Sequence, residues 1–435
     1  MMCGIVALIG KDIDKDDIDF VKECNEKQAH RGPDGNGVWV GRFSVLGHTR
    51  LSIVGVNSGS QPLVNECGSI ALTINGEIYN YRELMTKYGI TSVRSDCDIV
   101  LKIYEQTLNE DFISELDGDF AFVLVDDIND RIIASRDKIG VVSMYSTKTQ
   151  SDGWMGFSSE AKCFDSNPIQ HFPIGMTMVM NDVSTFENDK WYYIKHSPLR
   201  MGLNLSIGYF KSKKEQFVSL MVDSVRKRMH TDPSVKFAVL LSGGIDSSII
   251  AKITSSLSET PIHTFSVGLK DAPDLIWARK VAINIGSIHH EVIFTVEEGI
   301  KAIPDVIKYI ETYDVTTIRA STPMYLLCKE MKRLGFKMCL SGEGADELFA
   351  GYLYNHNAPS LEEMSKERLS RVQRLHTSDC LRANKSSLGA GVELRVPFLD
   401  KLVVDYALDV DSSECIKSER GAPIEKWFLR KALNN

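Results

Sequence analysis

A strand, a glycine turn and a helix stand in direct succession at residues 235–257, and this succession restricts the chain more than any other feature. Val235 to Leu241 reads as a buried strand, Ser242-Gly243-Gly244-Ile245-Asp246-Ser247-Ser248 follows it, and a helix is expected from about Asp246 to Leu257. Two glycines let the backbone turn tightly and approach a ligand closely. The helix N-terminus adds unpaired N–H groups and the positive end of the helix dipole. Together they form a cradle for phosphate. The hydroxyls of Ser242, Ser247 and Ser248 add donors. Asp246 is negative and suits this place when Mg²⁺ stands between it and the phosphates. A glycine turn with a serine cap is the plainer alternative, and the full string in this context outweighs it. The stretch Gly4 to Lys11 has the wrong spacing for the other common phosphate loop and ends in Asp12.

A second loop, Ser341-Gly342-Glu343-Gly344-Ala345-Asp346-Glu347, follows another apolar strand. Glu347 occupies the place of the third glycine of a dinucleotide fingerprint, so that reading is weak. Three carboxylates on a glycine turn are the informative part. Asp346 is expected to face Asp246 across a cleft and share Mg²⁺ with it. Glu343 suits a base for an attacking amine if burial raises its pKa.

Around these loops strands and helices alternate: a strand near His263 to Val267, a helix near Asp274 to Ile285, a strand near Glu291 to Phe294. Such alternation predicts an α/β doubly wound parallel sheet. The first half is different. Ile5 to Ile9, Ser44 to Leu46, Ile70 to Ile74, Phe120 to Val125 and Arg131 to Ala134 are short apolar segments split by Gly, Asn and Asp, with helices near Asp16 to Lys27 and Asp98 to Leu108. That mixture predicts an α+β layered domain with antiparallel sheets. A length of 435 residues suits two domains. The boundary is expected at residues 195–210, punctuated by Pro198, Gly202 and Asn204, giving domains 1–205 and 206–435.

Composition removes several classes of function. The net charge of -8 gives no electrostatic reason to bind nucleic acid, and no apolar run is long enough for a bilayer. The N-terminus lacks a signal-peptide pattern, so the expected compartment is the cytoplasm. Nine cysteines without a CxxC pair read as buried or free thiols. The ten histidines, His289-His290 included, have no metal-ligand spacing.

SGGIDSS resembles the loop of the PP-loop ATP pyrophosphatases, which cleave ATP between the α and β phosphates. Glu311 to Pro323, Ser341 to Tyr352, Arg382 to Ser386 and Gly391 to Asp400 resemble the synthetase domain of the asparagine synthetases, and the likeness covers nearly the whole chain. It implies that Leu240, Val267, Ser341 and Gly342, beside Ser242, Gly243, Gly244 and Ser247, hold ATP. It implies Asp246 and Asp346 as Mg²⁺ ligands and Glu343 as the base for ammonia attack. Lys426 would neutralise the departing pyrophosphate. Thr316, Thr317, Arg319 and Thr322 would recognise aspartate, for which a cation and hydroxyls are suited. An ordinary surface ion pair is the alternative for Arg319.

At the other end, Cys3-Gly4-Ile5-Val6 opens the chain. A cysteine in a strand is normally a small buried hydrophobe. One that becomes the first residue gains an α-amine able to serve as base for its own thiol. His30 to Gly35, Arg50 to Ile53, Asn75 to Asn80 and Ser95-Asp96 resemble the class II glutamine amidotransferase domain, an Ntn-hydrolase fold of two antiparallel sheets between helical layers. The resemblance implies Cys3 as the nucleophile and the Asn75 amide with the Gly76 N–H as an oxyanion hole. It further implies that Arg50 grips the glutamine α-carboxylate and that Glu77 and Asp96 hold its α-ammonium, with Arg31 supporting the loops around Cys3. The family likeness also implies an ammonia tunnel and a homodimer.

Some positions depart from the pattern. Met1-Met2 precede Cys3, so both must be absent for the amine to exist. Lys138 and Ser143 stand where the family has proline, and read as local loop changes. The chain ends at Asn435, before a helical segment the family usually carries. The expected function is ATP-dependent conversion of aspartate to asparagine through β-aspartyl-AMP, with ammonia from glutamine and with AMP, pyrophosphate and glutamate as products. A related amide-forming synthetase, like the β-lactam synthetases, and a non-catalytic binder of glutamine or nucleotide are the alternatives. The N-terminal cysteine argues against the first and Glu343 against the second.

Overall fold

The computed structural model describes residues 3–148, 154–164, 167–181, 191–195, 199, 212–419 and 422–432. Most of the expected boundary segment at 195–210, with Pro198, Gly202 and Asn204, lies outside them.

The N-terminal half is built on strands β1 (Gly4–Ile9), β2 (Gly35–Val40), β3 (Ser44–Arg50), β4 (Leu63–Val64), β5 (Ile70–Ile78), β6 (Gly118–Asp126), β7 (Arg131–Arg136), β8 (Tyr145–Lys148), β9 (Met155–Ser158), β10 (Ile169–His171), β11 (Met176–Asn181) and β12 (Trp191–Lys195). They form two sheets, ordered β10-β8-β9-β1-β3-β2 and β12-β11-β7-β6-β5-β4. The registered pairs within them are antiparallel, for example Gly4 with Thr49 and Asn75 with Ala121.

Strand periodicity explains the layering. Ala7 and Ile9 of β1 point between the sheets and pack with Leu46, Ala71, Val123 and Ala134. Val6 and Leu8 point the other way, onto Val21 and Cys24 of helix α1 (Lys15–Lys27). Asp14 caps this helix in a capping box with Asp17, closing two orphan N–H groups. Beyond the second sheet, helices α2 (Tyr81–Tyr88) and α3 (Asp98–Thr107) cover Leu72, Ile74, Phe122 and Leu124. The result is a helix-sheet-sheet-helix sandwich, as the sequence predicts.

The C-terminal half enters through helix α4 (Lys213–Arg228). Its parallel sheet comprises β13 (Lys236–Leu240), β14 (His263–Gly268), β15 (Ile288–Ile293), β16 (Phe336–Leu340) and β17 (Glu393–Arg395), ordered β15-β14-β13-β16-β17. The connections run through helices α5 (Ile245–Leu257), α6 (Pro273–Ile285), α7 (Val296–Ile310), α8 (Val315–Arg333), α9 (Ala345–Leu348), α10 (Leu361–Arg374) and α11 (Asp379–Gly389); α12 (Lys401–Asp409) and α13 (Trp427–Ala432) follow. β15 begins three residues before the expected Glu291, because Ile288 already pairs with His263. From β13 the chain winds out to β15, then returns to place β16 on the other side. The crevice at that reversal, at the carboxyl ends of β13 and β16, is where open α/β sheets bind ligands.

The two halves share one apolar cluster. Cys3, Leu51, Ile53, Val54, Ile139 and Val141 pack with Val225, Ala390, Val392 and Leu394. Buried charge stitches the same seam. Arg31 reaches Glu160 at 2.6 Å and donates to Asn384 Oδ1 at 3.0 Å. The Glu311 carboxylate accepts the N–H groups of Ala161 and Lys162, both at 2.8 Å, and pairs with Lys385. Lys138 pairs with Asp405 of α12 at 2.8 Å, and Ser143 Oγ donates to Asn384 Oδ1 of α11 at 3.4 Å. These two departures from proline are therefore seam residues, not local loop changes. Among the described residues no helix is long and apolar enough to cross a membrane, and all nine cysteines are free.

Candidate active sites

The first site forms where β1, β3 and β5 meet the seam. Cys3 is fully buried, and its main-chain N–H donates to Asn75 Oδ1 at 2.6 Å. The Leu51 N–H lies 3.4 Å from Cys3 Sγ. Burial pushes the thiol up to about 11, with the Leu51 main chain and Arg50 acting against it. Asn75 Nδ2 donates to Ser159 Oγ at 3.3 Å, and Arg31 Nε donates to the Cys3 carbonyl at 2.8 Å. Gly76 has φ of +144°, and a Cβ there would lie 2.1 Å from the Asp119 carbonyl oxygen. Glycine is thus required for β5 to pass so close to β6.

Arg50, at the end of β3, is buried. Its guanidinium donates to the carbonyls of Val54, Gly55 and Val56, and its Nε has no hydrogen-bond partner. Asp96 Oδ2 accepts the Ile78 N–H at 2.9 Å, while its buried Oδ1 is likewise unpartnered. Buried polar atoms are rarely left so. A cationic N–H and a carboxylate oxygen, both unpartnered, suit the two ends of an amino-acid substrate. Glu77 lies alongside, 2.7 Å from Arg395, and burial raises its carboxyl to about 8 against the pull of Arg395. Cys3, Arg50, Asn75, Gly76, Glu77 and Asp96 therefore gather in one place.

The second site is the crevice of the parallel sheet, a cleft of about 290 Å³ lined by Leu240, Ser242, Asp246, Ser247, Val267, Ser341, Gly342, Glu343 and Asp346 among others. The turn after β13 is internally braced: Ser242 Oγ and Ser247 Oγ lie 3.0 Å apart, and Ser248 Oγ donates to the Gly244 carbonyl at 2.7 Å. No side chain caps α5, so its first N–H groups remain available to an anion. Gly243 has φ of +80°, and a Cβ there would lie 2.5 Å from the Ala278 nitrogen. At Gly342 a Cβ would lie 2.9 Å from the Ser247 nitrogen, so the two loops can touch only without one.

Lys426 Nζ bridges the carboxylates, 2.6 Å from Asp246 and 2.8 Å from Asp346. Burial pulls the ammonium down, and the two aspartates outweigh it and raise it. Asp246 in turn is raised by burial against Lys426. Its Oδ1 is buried without a partner. Among the described residues no three metal-ligating side chains gather. Two carboxylates nonetheless fit Mg²⁺, which keeps several waters and takes its other oxygens from phosphates. Glu343 Oε2 accepts from Arg382 Nη2 at 2.8 Å, and Arg382 also holds Asp379 at 2.9 Å.

The expected aspartate-binding residues are not walls of this cleft. Thr316 and Arg319 are exposed on α8, Thr317 is tied to Asp314 at the helix cap, and Thr322 Oγ1 donates to its own helix at the Ile318 carbonyl. The same helix contributes Ala320, Pro323, Met324 and Leu327 to the lining. Arg382, Arg395 and Ser159 were not legible as site residues. Their partners Glu343, Glu77 and Asn75 lie 39, 318 and 84 positions away. The first two lie within the family-like segments 382–386 and 391–400, where no role was assigned to them.

The family profile described as Glutamine amidotransferase domain matches residues 2–217, and the one described as Asparagine synthase matches 216–370 and 356–435. A probable glutamine-hydrolysing asparagine synthetase of Dictyostelium discoideum is 43% identical over 99% of this chain and 80% of its own length. Glutamine-hydrolysing asparagine synthetases of Brassica oleracea and Arabidopsis thaliana are 43% and 42% identical over all of this chain and 74% of theirs. With both profiles matched and this identity along its length, the chain belongs to the glutamine-hydrolysing asparagine synthetase family.

Proposed function

We propose that this protein makes asparagine from aspartate and ATP, using ammonia that it frees from glutamine. The observation carrying this reading is one chain holding a buried cysteine pocket and a double-glycine-loop cleft, joined by a continuous apolar cluster. In the first pocket Arg50 and Asp96, with Glu77, hold the amino-acid end of glutamine. Cys3 attacks the side-chain amide, its α-amine takes the thiol proton and returns it to the departing ammonia, and a thioester remains for water to clear. The Asn75 amide and the Gly76 N–H steady the oxyanion.

In the second site the turn at 242–247 receives the pyrophosphate of ATP, and Leu240, Val267, Ser341 and Gly342 enclose the nucleotide. Asp246 and Asp346 would hold Mg²⁺, which supplies charge neutralisation for the phosphates. The aspartate side-chain carboxylate attacks the α phosphorus, giving β-aspartyl-AMP and pyrophosphate, and Lys426 balances the leaving charge. Ammonia displaces AMP, and Glu343 takes its proton. Thr316, Thr317, Arg319 and Thr322 recognise aspartate once the start of α8 turns toward the cleft. Ammonia passes between the sites through the apolar seam. We divide the chain at 205/206; the two family profiles meet at residues 216–217. We also propose a cytoplasmic homodimer. Free thiols suit that compartment.

The test is incubation with ATP, Mg²⁺, aspartate and ammonium, measuring pyrophosphate and asparagine. Equal amounts of both support the reading, and their absence in folded protein overturns it. Replacing ammonium by glutamine then reports on Cys3.

A further inference from the structure

Arg395 ends β17, in the half that carries the nucleotide cleft, yet its side chain lies in the glutamine pocket of the other half. It is 1% exposed. Nη2 lies 2.7 Å from Glu77 Oε1, and Nε donates to Glu393 Oε1 at 2.6 Å. Nη1 donates to the carbonyls of Arg228 at 2.9 Å and His230 at 2.7 Å, at and just beyond the end of α4. The guanidinium is therefore fixed from three directions. Its main chain serves the other site: the Arg395 carbonyl accepts the N–H of Ser341, first residue of the second glycine loop, at 2.9 Å.

Glu77 is 4% exposed. Charged or titratable groups face it from each neighbouring segment: Asp96 before α3, Glu393 and Arg395 on β17, Tyr79 on its own segment, and the Cys3 and Cys97 thiols. Arg395 is the cation paired with it there. Burial and these two carboxylates raise the pH at which Glu77 ionises, and such a partner lowers it. Capture of an ammonium requires the ionised form.

We infer that Arg395 is a positioning residue for glutamine, supplied by the nucleotide-binding half, which fixes the Glu77 carboxylate for the substrate α-ammonium while its own main chain holds Ser341. This rests on the reading of Cys3, Glu77 and Asp96 as a glutamine site.

The test is Arg395→Gln in the full chain, with a Cys3 N-terminus verified by mass spectrometry and glutamine hydrolysis followed across pH. The KM for glutamine is expected to rise about tenfold or more at pH 7. The kcat should change by less than about threefold, because the attack at Cys3 is untouched. The fall in KM with rising pH should move to higher pH than in the wild type, since without Arg395 the Glu77 carboxyl sheds its proton later. Arg395→Lys, which restores charge without the fork, should recover part of the loss. An unchanged KM in a variant that unfolds at the native temperature overturns the inference. Should Arg395→Gln not fold, Glu393→Gln removes the carboxylate that competes for the guanidinium. It should shift the KM profile to lower pH, and an unmoved profile overturns the inference equally. A wild-type chain that hydrolyses no glutamine would instead overturn the underlying reading.

Discussion

Burial holds the Cys3 thiol at about 11, so a base must take its proton at neutral pH. In the proposed mechanism the free α-amine of an N-terminal Cys3 serves as that base. Protein beginning at Cys3 should therefore hydrolyse glutamine, and protein retaining Met2 should be slower by about 10²-fold or more. Ammonium-dependent synthesis measured on both preparations should be equal. Glu77 gives a second expectation. Raised to about 8 by burial, it is largely protonated at pH 7 in the free pocket and cannot pair with an ammonium. The KM for glutamine should fall as pH rises through about 8, and a flat profile would exclude Glu77 from substrate recognition. In the cleft, Glu343→Gln removes the proton acceptor but not the nucleotide loops. Asparagine formation should drop by about 10²–10⁴-fold while aspartate-dependent exchange of pyrophosphate into ATP persists. Loss of both would give Glu343 a different role.

The turn between β13 and α5 works because one residue can adopt a left-handed backbone. Gly243 combines φ of +80° with a neighbour, the Ala278 nitrogen, only 2.5 Å from any added Cβ. Gly243→Ala should cost about 1–2 kcal/mol for the conformation alone, and more for the displaced middle of α6 at Trp277 and Ala278. Urea unfolding and the KM for ATP should both register it, the latter because the cradle itself moves. This element was legible in detail, since its glycines, hydroxyls and helix start are consecutive. The start of α8 was less so. Thr316, Thr317, Arg319 and Thr322 have the right chemistry, but helix geometry turns Thr317 to its Asp314 cap and Thr322 to its own backbone.

Across the whole molecule, the halves are joined by charges buried with apolar packing. Lys385 pairs with Glu311, and burial, which pushes Glu160 up, is outweighed by Lys385, Lys162 and Arg31, which hold it well below the usual carboxylate range. A carboxyl depressed on folding stabilises above its unfolded value, here near 4.5, and that contribution is lost as pH falls through the folded value. Lys385→Met should cost about 3–5 kcal/mol at pH 7, by leaving two buried carboxylates short of a partner. Chemical unfolding should show the deficit shrinking toward acid pH, where a proton replaces the lost cation. A constant deficit would mean that packing, not charge, was removed.

The sequence by itself determined whatever rests on neighbouring residues. Alternating β and α segments, the two glycine loops with Asp246 and the layered N-terminal half were readable, because turn chemistry and periodicity act within a few residues, while the groups around Cys3 and Asn75 were read from the family resemblance. Tertiary structure alone decided which distant charges meet. Arg395 meets Glu77, Arg382 meets Glu343, and Lys138 meets Asp405 across separations that no local pattern encodes. Ion pairs need only proximity and opposite sign, and in a chain with 50 basic and 58 acidic residues the fold selects the partners.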